Sequence, residues 1–179
     1  IDGDEVVQVY VSDPVALIAR PLKELRRFAR VHLKKGERRR ISFTLSPDDL
    51  AYYDENMRRF VEPGAFEILV GSSSEDIRLR ATVQIEREIR AEPRVTNFDV
   101  KRYCDNLAVI EATLANAGLI SDSIPVELLL DGKKVESHRV YLEPEERRKV
   151  VFKVSATPGL HEVSLDFGGV RVSRTLQLA

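Results

Sequence analysis

Apolar and polar residues alternate strictly along two segments of this chain. Ile41, Phe43 and Leu45 are separated by single polar residues, and positions 150, 152 and 154 repeat the spacing with Val, Phe and Val. Successive side chains of an extended strand point to opposite faces, so a period of two indicates a strand with one buried and one solvated face. We therefore predict strands over Arg39–Leu45 and Arg147–Val154.

The two segments belong to a longer internal repeat. Phe28–Leu45 and Ser137–Val154 align without a gap, and each copy is predicted to be a strand, a polar turn and a second strand. Seven of the eighteen positions are identical, namely Arg30/Arg139, Val31/Val140, Leu33/Leu142, Glu37/Glu146, Arg38/Arg147, Arg39/Arg148 and Phe43/Phe152. The similarity continues upstream, where Glu5–Asp13 parallels Pro125–Gly132, and downstream, where Glu62–Gly71 parallels Thr157–Asp166. Two copies of one β-unit predict an all-β protein with two tandem immunoglobulin-like β-sandwiches.

The two predicted domains differ in completeness. We place domain one over residues 1–86, a charged linker over 87–94 and domain two over 95–179. Domain two has the strand complement of a complete sandwich. Its seven candidate strands are Val95–Val100, Leu107–Ala117, Pro125–Leu130, Lys134–Leu142, Arg147–Val154, Gly159–Phe167 and Val170–Leu178, with hairpin turns at Asp131–Gly132 and Gly168–Gly169.

Domain one shows only about five strands by the same criteria. They are Glu5–Ser12, Leu25–Leu33, Arg39–Leu45, Ala65–Val70 and Ile77–Glu86, with a helical turn expected near Ser46–Asp49 and a further short strand beginning at Arg59–Val61. The two strands that should precede Glu5 are absent. A sandwich without them leaves apolar core and an unpaired strand edge open to solvent. We therefore expect domain one to be N-terminally incomplete and the chain to be the C-terminal piece of something longer.

Composition and charge narrow the classes of function. The chain has 179 residues, of which 43% are hydrophobic. It contains 28 basic and 29 acidic side chains, which give a net charge of −1. This balance argues against nucleic-acid and membrane partners, and no apolar run approaches the ~20 residues of a membrane span. The single cysteine, Cys104, excludes an intrachain disulfide and favours an inert small apolar side chain over a nucleophile. The compartment stays open, with a periplasmic or extracellular location slightly favoured over a cytoplasmic one.

The loop between the first two predicted strands is unusually apolar. Asp13–Glu24, DPVALIARPLKE, contains two prolines and carries Val15, Leu17 and Ile18. Apolar side chains in a loop usually cover the edge of a core or dock on a neighbour. We therefore interpret this loop as a contact surface.

Four motifs taken together resemble one enzyme family. GDEVVQVYVSDP, RPLKELRRFARVHL, FTLSPDDLAYYDE and VEPGAFEILVGSSSEDIRL, between Gly3 and about Leu79, resemble the C-terminal fibronectin type III-like domain of family 3 glycoside hydrolases. These are the β-glucosidases and β-xylosidases. Arg27 departs from the pattern, in which a glycine usually precedes the phenylalanine. Domain two more weakly resembles bacterial adhesion-type immunoglobulin-like modules.

The resemblance implies a non-catalytic role. In that family the catalytic carboxylates lie on preceding domains, a barrel and an α/β sandwich, and the first two strands of this domain also lie upstream. The proline-rich loop is implied to pack against the α/β sandwich, so the catalytic domains of the same enzyme are the expected partner, on the same or a separate polypeptide. Neither a cofactor nor a metal is expected. The residues predicted to dock are Leu17, Ile18, Arg20, Pro21, Lys23 and Glu24.

The three histidines and the adjacent acid pairs are predicted to have structural roles. His32, His138 and His161 have no acid-rich cluster near them in sequence, and zinc needs three or four converging ligands, so structural roles are favoured. The acid pairs at 48–49, 54–55 and 145–146 are better explained as caps and turns, because glycoside hydrolysis needs two carboxyls ~5–9 Å apart across one bond. The alternative function is a carbohydrate- or cell-surface-binding module, for which Tyr52 and Tyr53 would be the candidate aromatic residues.

Overall fold

Strands form over most of the chain, as the alternating sequence predicts. The computed structural model of the protein describes residues 1–104 and 106–178. The chain divides into unit 1, Ile1–Ile89, and unit 2, Arg90–Ala179. A 3-10 turn at Pro47–Asp49 is the one helical element among the described residues, and none of these residues forms a helix long and apolar enough to cross a membrane.

Six strands lie in unit 1, a two-residue strand lies where the units divide, and seven lie in unit 2. The strands of unit 1 are β1 (Gly3–Ser12), β2 (Glu24–Leu33), β3 (Tyr52–Tyr53), β4 (Arg59–Val61), β5 (Gly64–Gly71) and β6 (Ile77–Ile85), and β7 is Ile89–Arg90. Those of unit 2 are β8 (Pro93–Cys104), β9 (Leu107–Asn116), β10 (Asp122–Leu130), β11 (Lys133–Leu142), β12 (Arg147–Ser155), β13 (Gly159–Phe167) and β14 (Val170–Leu178).

Unit 2 is a two-sheet β-sandwich, as predicted. One sheet has the order β11-β10-β13-β14 and the other β12-β9-β8, with antiparallel neighbours throughout. Alternate residues of the central strand β9 are fully buried and pack with apolar side chains of both sheets. These β9 residues are Ala108, Ile110, Ala112 and Leu114.

The two predicted hairpin turns of unit 2 are confirmed. Asp131 and Gly132 have φ of 49° and 75°, and Gly168 and Gly169 have φ of 58° and 90°. At Gly168 a Cβ atom would also lie 2.8 Å from a methyl carbon of Ile124, so glycine is required there for space as well as for backbone conformation.

Unit 1 contains a four-stranded sheet in the order β2-β1-β5-β6, which matches the β11-β10-β13-β14 sheet of unit 2. The registers agree, since Val9 pairs with Val70 as Leu128 pairs with Leu165. Beside this sheet, β3 and β4 form a short antiparallel pair. The sequence repeat is therefore a structural repeat.

The prediction of a strand over Arg39–Leu45 is wrong. Residues 37–46 belong to no strand, although Ile41, Phe43 and Leu45 are half-buried and the two residues between them are exposed. In unit 2 the matching strand β12 pairs with β9 along its whole length. Residues 1–89, all of which the structure describes, include no strand in the position of β9. The segment keeps the burial pattern of a strand but lacks a backbone partner.

The turn that precedes this segment is the same in both units. Glu37 and Glu146 each accept a hydrogen bond from the N–H of the residue three positions earlier, at 2.9 Å in both cases. The preceding residues, Gly36 and Glu145, both have positive φ, of 78° and 64°. The repeated sequence thus folds identically up to the point at which a second sheet is needed.

The apolar face of the unit 1 sheet is incompletely covered. Val83 on β6 is 41% exposed, whereas Leu176, at the matching position of β14, is 4% exposed. Ile68 and Val70 on β5 are half-buried, whereas the two matching residues of β13 are fully buried. Unit 1 therefore exposes residues that form the interior of unit 2, as expected for a sandwich without its first two strands.

Candidate functional site

The loop between β1 and β2 is attached to unit 1 by a buried ionic cluster. At its centre is Arg20, whose side chain is only 7% exposed. Its guanidinium lies 2.8 Å from Oε1 of Glu24 and 3.4 Å from Oδ2 of Asp13, and it donates to the Leu50 carbonyl at 3.3 Å. The same group lies 4.5 Å from the centre of the Tyr52 ring, which is a cation–π distance. Arg20 therefore holds the loop in place.

A second buried acid fixes the middle of the loop. Oε1 of Glu62 accepts the hydroxyl of Tyr52 at 2.6 Å and the backbone N–H of Leu17 at 3.2 Å. Burial raises the pKa of Asp13, the Val15 N–H opposes this rise, and the neighbouring Glu62 adds to it. Burial and the hydrogen bond to Glu62 likewise raise the pKa of Tyr52. The carboxyls of Asp13 and Glu62 thus form a polar base beneath the loop.

The surface of the loop is apolar. Leu17 is 78% exposed although its own N–H is bonded to the buried Glu62, and Val15 is exposed beside it. Ile18 is more covered, and Pro21 is exposed. The loop therefore presents apolar side chains while its backbone is held by hydrogen bonds.

The charged residues predicted to dock divide into two groups. Arg20 and Glu24 bind each other inside the cluster, and Glu24 also pairs with Arg26 at 2.7 Å. Lys23 is exposed, and its Nζ donates to the Ser74 carbonyl at 2.5 Å. Of the charged residues predicted to dock, only Lys23 faces outward.

The exposed apolar surface extends to residues that sequence reasoning missed. Leu22 is 87% exposed, and Leu25 and Phe28 on β2 are exposed on the sheet face that carries Tyr10. The alternation of apolar and polar residues did not reveal Leu25 and Phe28, because the pairing of β2 with β1 shifts register between Arg27 and Leu25. The internal repeat could have revealed Phe28, because this aromatic residue aligns with the polar Ser137 of the second copy. We define Val15, Leu17, Leu22, Leu25 and Phe28 as the candidate docking surface.

Arg27, which departs from the family motif, ties an unpaired segment to β2. Its Nη1 and Nη2 bind the two carboxylate oxygens of Asp49 at 2.6 and 2.7 Å, and its Nε donates to the Thr44 carbonyl at 3.2 Å. Asp49 also accepts the N–H of Ser46 at 2.7 Å and so closes the 3-10 turn. A bidentate pair of this kind fixes geometry, which explains how residues 44–49 stay against β2 without strand pairing.

The adjacent acid pairs take part in local structure. Asp48 pairs with Arg59, and Asp54 accepts the backbone N–H of Arg58 at 2.9 Å. Glu146 caps its own turn. Among residues 1–104 and 106–178, no group of three or more His, Cys, Asp or Glu side chains is placed to hold a metal ion. Cys104 is exposed and unoxidised.

Comparison with known proteins identifies the first unit. A family model described as a fibronectin type III-like domain matches residues 5–74. The predicted resemblance of this segment to a fibronectin type III-like domain is confirmed. The resemblance to the family 3 glycoside hydrolases is confirmed for this part of the chain, because the curated relatives that match it include β-glucosidases and a β-xylosidase. The likeness of unit 2 to adhesion-type modules stays a prediction.

The fibronectin type III-like relatives are much longer than this chain. Thermostable beta-glucosidase B of Acetivibrio thermocellus is 40% identical over 95 residues, which are 52% of this chain and 13% of that protein. A beta-xylosidase of Formosa agariphila is 47% identical over 74 residues, or 41% of this chain and 10% of the xylosidase. The crystal structure of beta-glucosidase from Kluyveromyces marxianus in complex with glucose matches with a TM-score of 0.49 at 37% identity, covering 50% of this chain and 11% of that one.

Proposed function

We propose that this chain is the non-catalytic C-terminal accessory region of a β-glucosidase-type glycoside hydrolase. Unit 1 docks on the catalytic domains of the same enzyme through the candidate docking surface and stabilises them. The observation that carries the proposal is the construction of the loop, in which exposed Leu17 and Leu22 are presented by a backbone that Arg20 and Glu62 hold from beneath.

Physical considerations favour a contact role for this surface. Burying one leucine or phenylalanine side chain contributes about 1.5–3 kcal/mol, so five such residues would supply an interdomain contact of useful strength. A loop that is already ordered loses little conformational entropy when it docks. The buried cluster around Arg20 gives this loop that order before contact.

The open face of unit 1 supports a second contact with the same enzyme. We infer that two antiparallel strands from another part of the enzyme lie beside Arg39–Leu45 and cover the exposed side chains of β5 and β6. Unit 2 shows what such a strand requires, since β9 pairs with β12 and buries alternating small and large apolar residues. A completed unit 1 would be continuous with the segment that supplies those strands, which would fix its position on the enzyme.

The test uses the whole enzyme that carries this chain. Replacing Leu17 and Leu22 together by serine removes apolar contact area without touching the polar cluster. We expect the catalytic domains to unfold at a temperature several degrees lower and to become more sensitive to protease. The matched control is Leu160→Ser, which changes a leucine of similar exposure in unit 2 and should leave both properties unchanged.

An unchanged melting temperature and an unchanged protease pattern in the double variant would contradict docking. The alternative, a carbohydrate-binding module, has less support, because the Tyr52 ring contacts Arg20 and Phe60, which leaves Tyr53 as the one exposed ring of the two candidates. Retention of the isolated chain on an insoluble polysaccharide would favour that alternative.

A further inference from the structure

A histidine of unit 2 has a hydrogen-bond acceptor at each ring nitrogen. His161 lies near the start of β13, and its side chain is 12% exposed. Its Nδ1 is 2.7 Å from Oδ2 of Asp131, and its Nε2 is 2.8 Å from the carbonyl oxygen of Thr157. A neutral imidazole carries one N–H, so only the protonated ring can donate to both acceptors.

We propose that protonated His161 is a pH-dependent latch, which ties the β10–β11 turn to the segment before β13 and releases one of them when it loses its proton. The arm to Asp131 is reinforced by other contacts. Oδ1 of Asp131 accepts the N–H of Glu162 at 2.9 Å, and the Asp131 N–H donates to the Glu162 carbonyl at 2.9 Å. Thr157 is held to the ring by the single bond to Nε2. Loss of the proton therefore releases Thr157 and Pro158 from the ring while the turn stays attached, and it leaves the bond from the Ala156 N–H to the Asn106 carbonyl, at 3.1 Å, to hold this segment.

The charged groups around the ring favour the protonated form. The hydrogen bond to Asp131 raises the pKa of His161, the Thr157 carbonyl adds to the rise, and burial opposes it. Lys133 acts on Asp131 from the same turn. Glu162 and, from β14, Arg174 are the other charged residues that line the open cavity of about 410 Å³ to which His161 and Asp131 contribute.

The sign of the pH dependence follows from the raised pKa. A group whose pKa is higher in the folded than in the unfolded state stabilises the fold below its unfolded pKa, which is about 6.5 for histidine. That stabilisation is lost as the pH rises through the folded pKa. Asp131 behaves oppositely, because His161 lowers its pKa, and its stabilisation is lost as the pH falls below about 4. The latch is therefore closed between about pH 4 and a value above about 6.5.

The latch is specific to unit 2. At the matching position of unit 1 stands Phe66, which is fully buried, and the residue matching Thr157 is Glu62, which binds Tyr52. Unit 1 therefore has no histidine at this corner. The same position in the repeat is thus filled by a titrating side chain in only one of the two copies.

The decisive measurement is a titration of the His161 ring by NMR in the full chain. We expect a midpoint above about 6.5, with the backbone amide of Ala156, which donates to the Asn106 carbonyl at 3.1 Å, losing protection from hydrogen exchange over the same pH range, after correction for the intrinsic exchange rate. A midpoint at or below the ordinary histidine value, or protection of the Ala156 amide that does not follow the titration, would overturn the proposal.

Variants separate the latch from other histidines. His161→Phe, which introduces the side chain found at the matching position of unit 1, should remove the fall in the melting temperature of unit 2 between pH 6 and pH 8, and Asp131→Asn should lower the His161 midpoint. His138→Gln is the matched control, because it removes a histidine of β11 whose ring lies 5.4 Å from that of Phe152, and the fall should remain in this variant. A fall that persists in a folded His161→Phe variant would contradict the latch, and the wild-type titration decides the matter if that variant does not fold.

Discussion

Unit 1 and unit 2 contain copies of one segment, yet only unit 2 folds it into a sheet. Arg147–Ser155 pairs with β9 residue by residue, whereas residues 39–45 show the same alternation of burial without any strand partner. The difference shows that the alternation of apolar and polar residues specifies which face of a segment is buried. It does not specify which backbone the segment pairs with. A strand forms only where another backbone can satisfy its N–H and C=O groups.

The copies also differ in how they close the corner before β5 and β13. Unit 1 uses the buried Phe66 together with Glu62, and unit 2 uses His161 with Asp131. The backbone is alike, since Gly64 and Gly159 both have large positive φ. One backbone framework thus accepts an apolar closure or an ionic one.

The largest expected effect tests the completeness of the two interiors directly. Phe152→Ala removes a side chain that is 2% exposed and should lower the free energy of unfolding of unit 2 by about 3–5 kcal/mol. Phe43→Ala, at the matching position, should cost less than about 1.5 kcal/mol in this chain, because its ring already contacts water. Urea unfolding of the two variants measures both quantities.

Equal losses at the two positions would break the comparison, since they would mean that the interior of unit 1 is already closed. In the whole enzyme, Phe43→Ala could lower the free energy of unfolding as much as Phe152→Ala does. That result would show that another segment covers Phe43 there.

The next effect concerns the ionic cluster of unit 1, which has no counterpart in unit 2. Arg20→Met leaves Asp13 and Glu24 without their shared cation and should destabilise the loop by about 3 kcal/mol, because a buried acid then lacks its partner. Limited proteolysis should show cleavage between residues 13 and 23. Arg171→Met, which removes an exposed partner of Asp166, is the control and should change little. Resistance of the loop in Arg20→Met would show that the apolar contacts hold it alone.

The smallest effect lies in the turn that the units share. Gly36→Ala places a side chain at φ of 78° and should destabilise unit 1 by roughly 1 kcal/mol. Glu145→Gly relieves the same strain at φ of 64° and should leave unit 2 unchanged or slightly more stable. Thermal unfolding measures the two shifts. Shifts of the same sign would mean that the turns are not equivalent in energy, although they are alike in geometry.

Sequence patterns predicted the strands of unit 2 and its two glycine turns because all the partners of those strands lie within the same chain. They failed at Arg39–Leu45 because burial periodicity is local and strand pairing is not. Arg20 shows the same limit for the site. As a charged residue in a loop it was predicted to contact a partner, and only the fold shows that it lies against Asp13 and Tyr52. Phe28 was missed because a register shift interrupts the alternation of β2.

The outer edge of the unit 1 sheet has a consequence for handling the isolated chain. β6 is the last strand of that sheet, and Leu79 and Val83 are exposed on one side of it. Such an edge is a template for chain-to-chain growth into oligomers or fibres. Arg78 and Arg80 stand on the other side of the strand, where ion pairs with Asp76 at 2.7 Å and with Glu67 at 3.8 Å offset part of their charge. The free chain should therefore polymerise through this edge as its concentration rises.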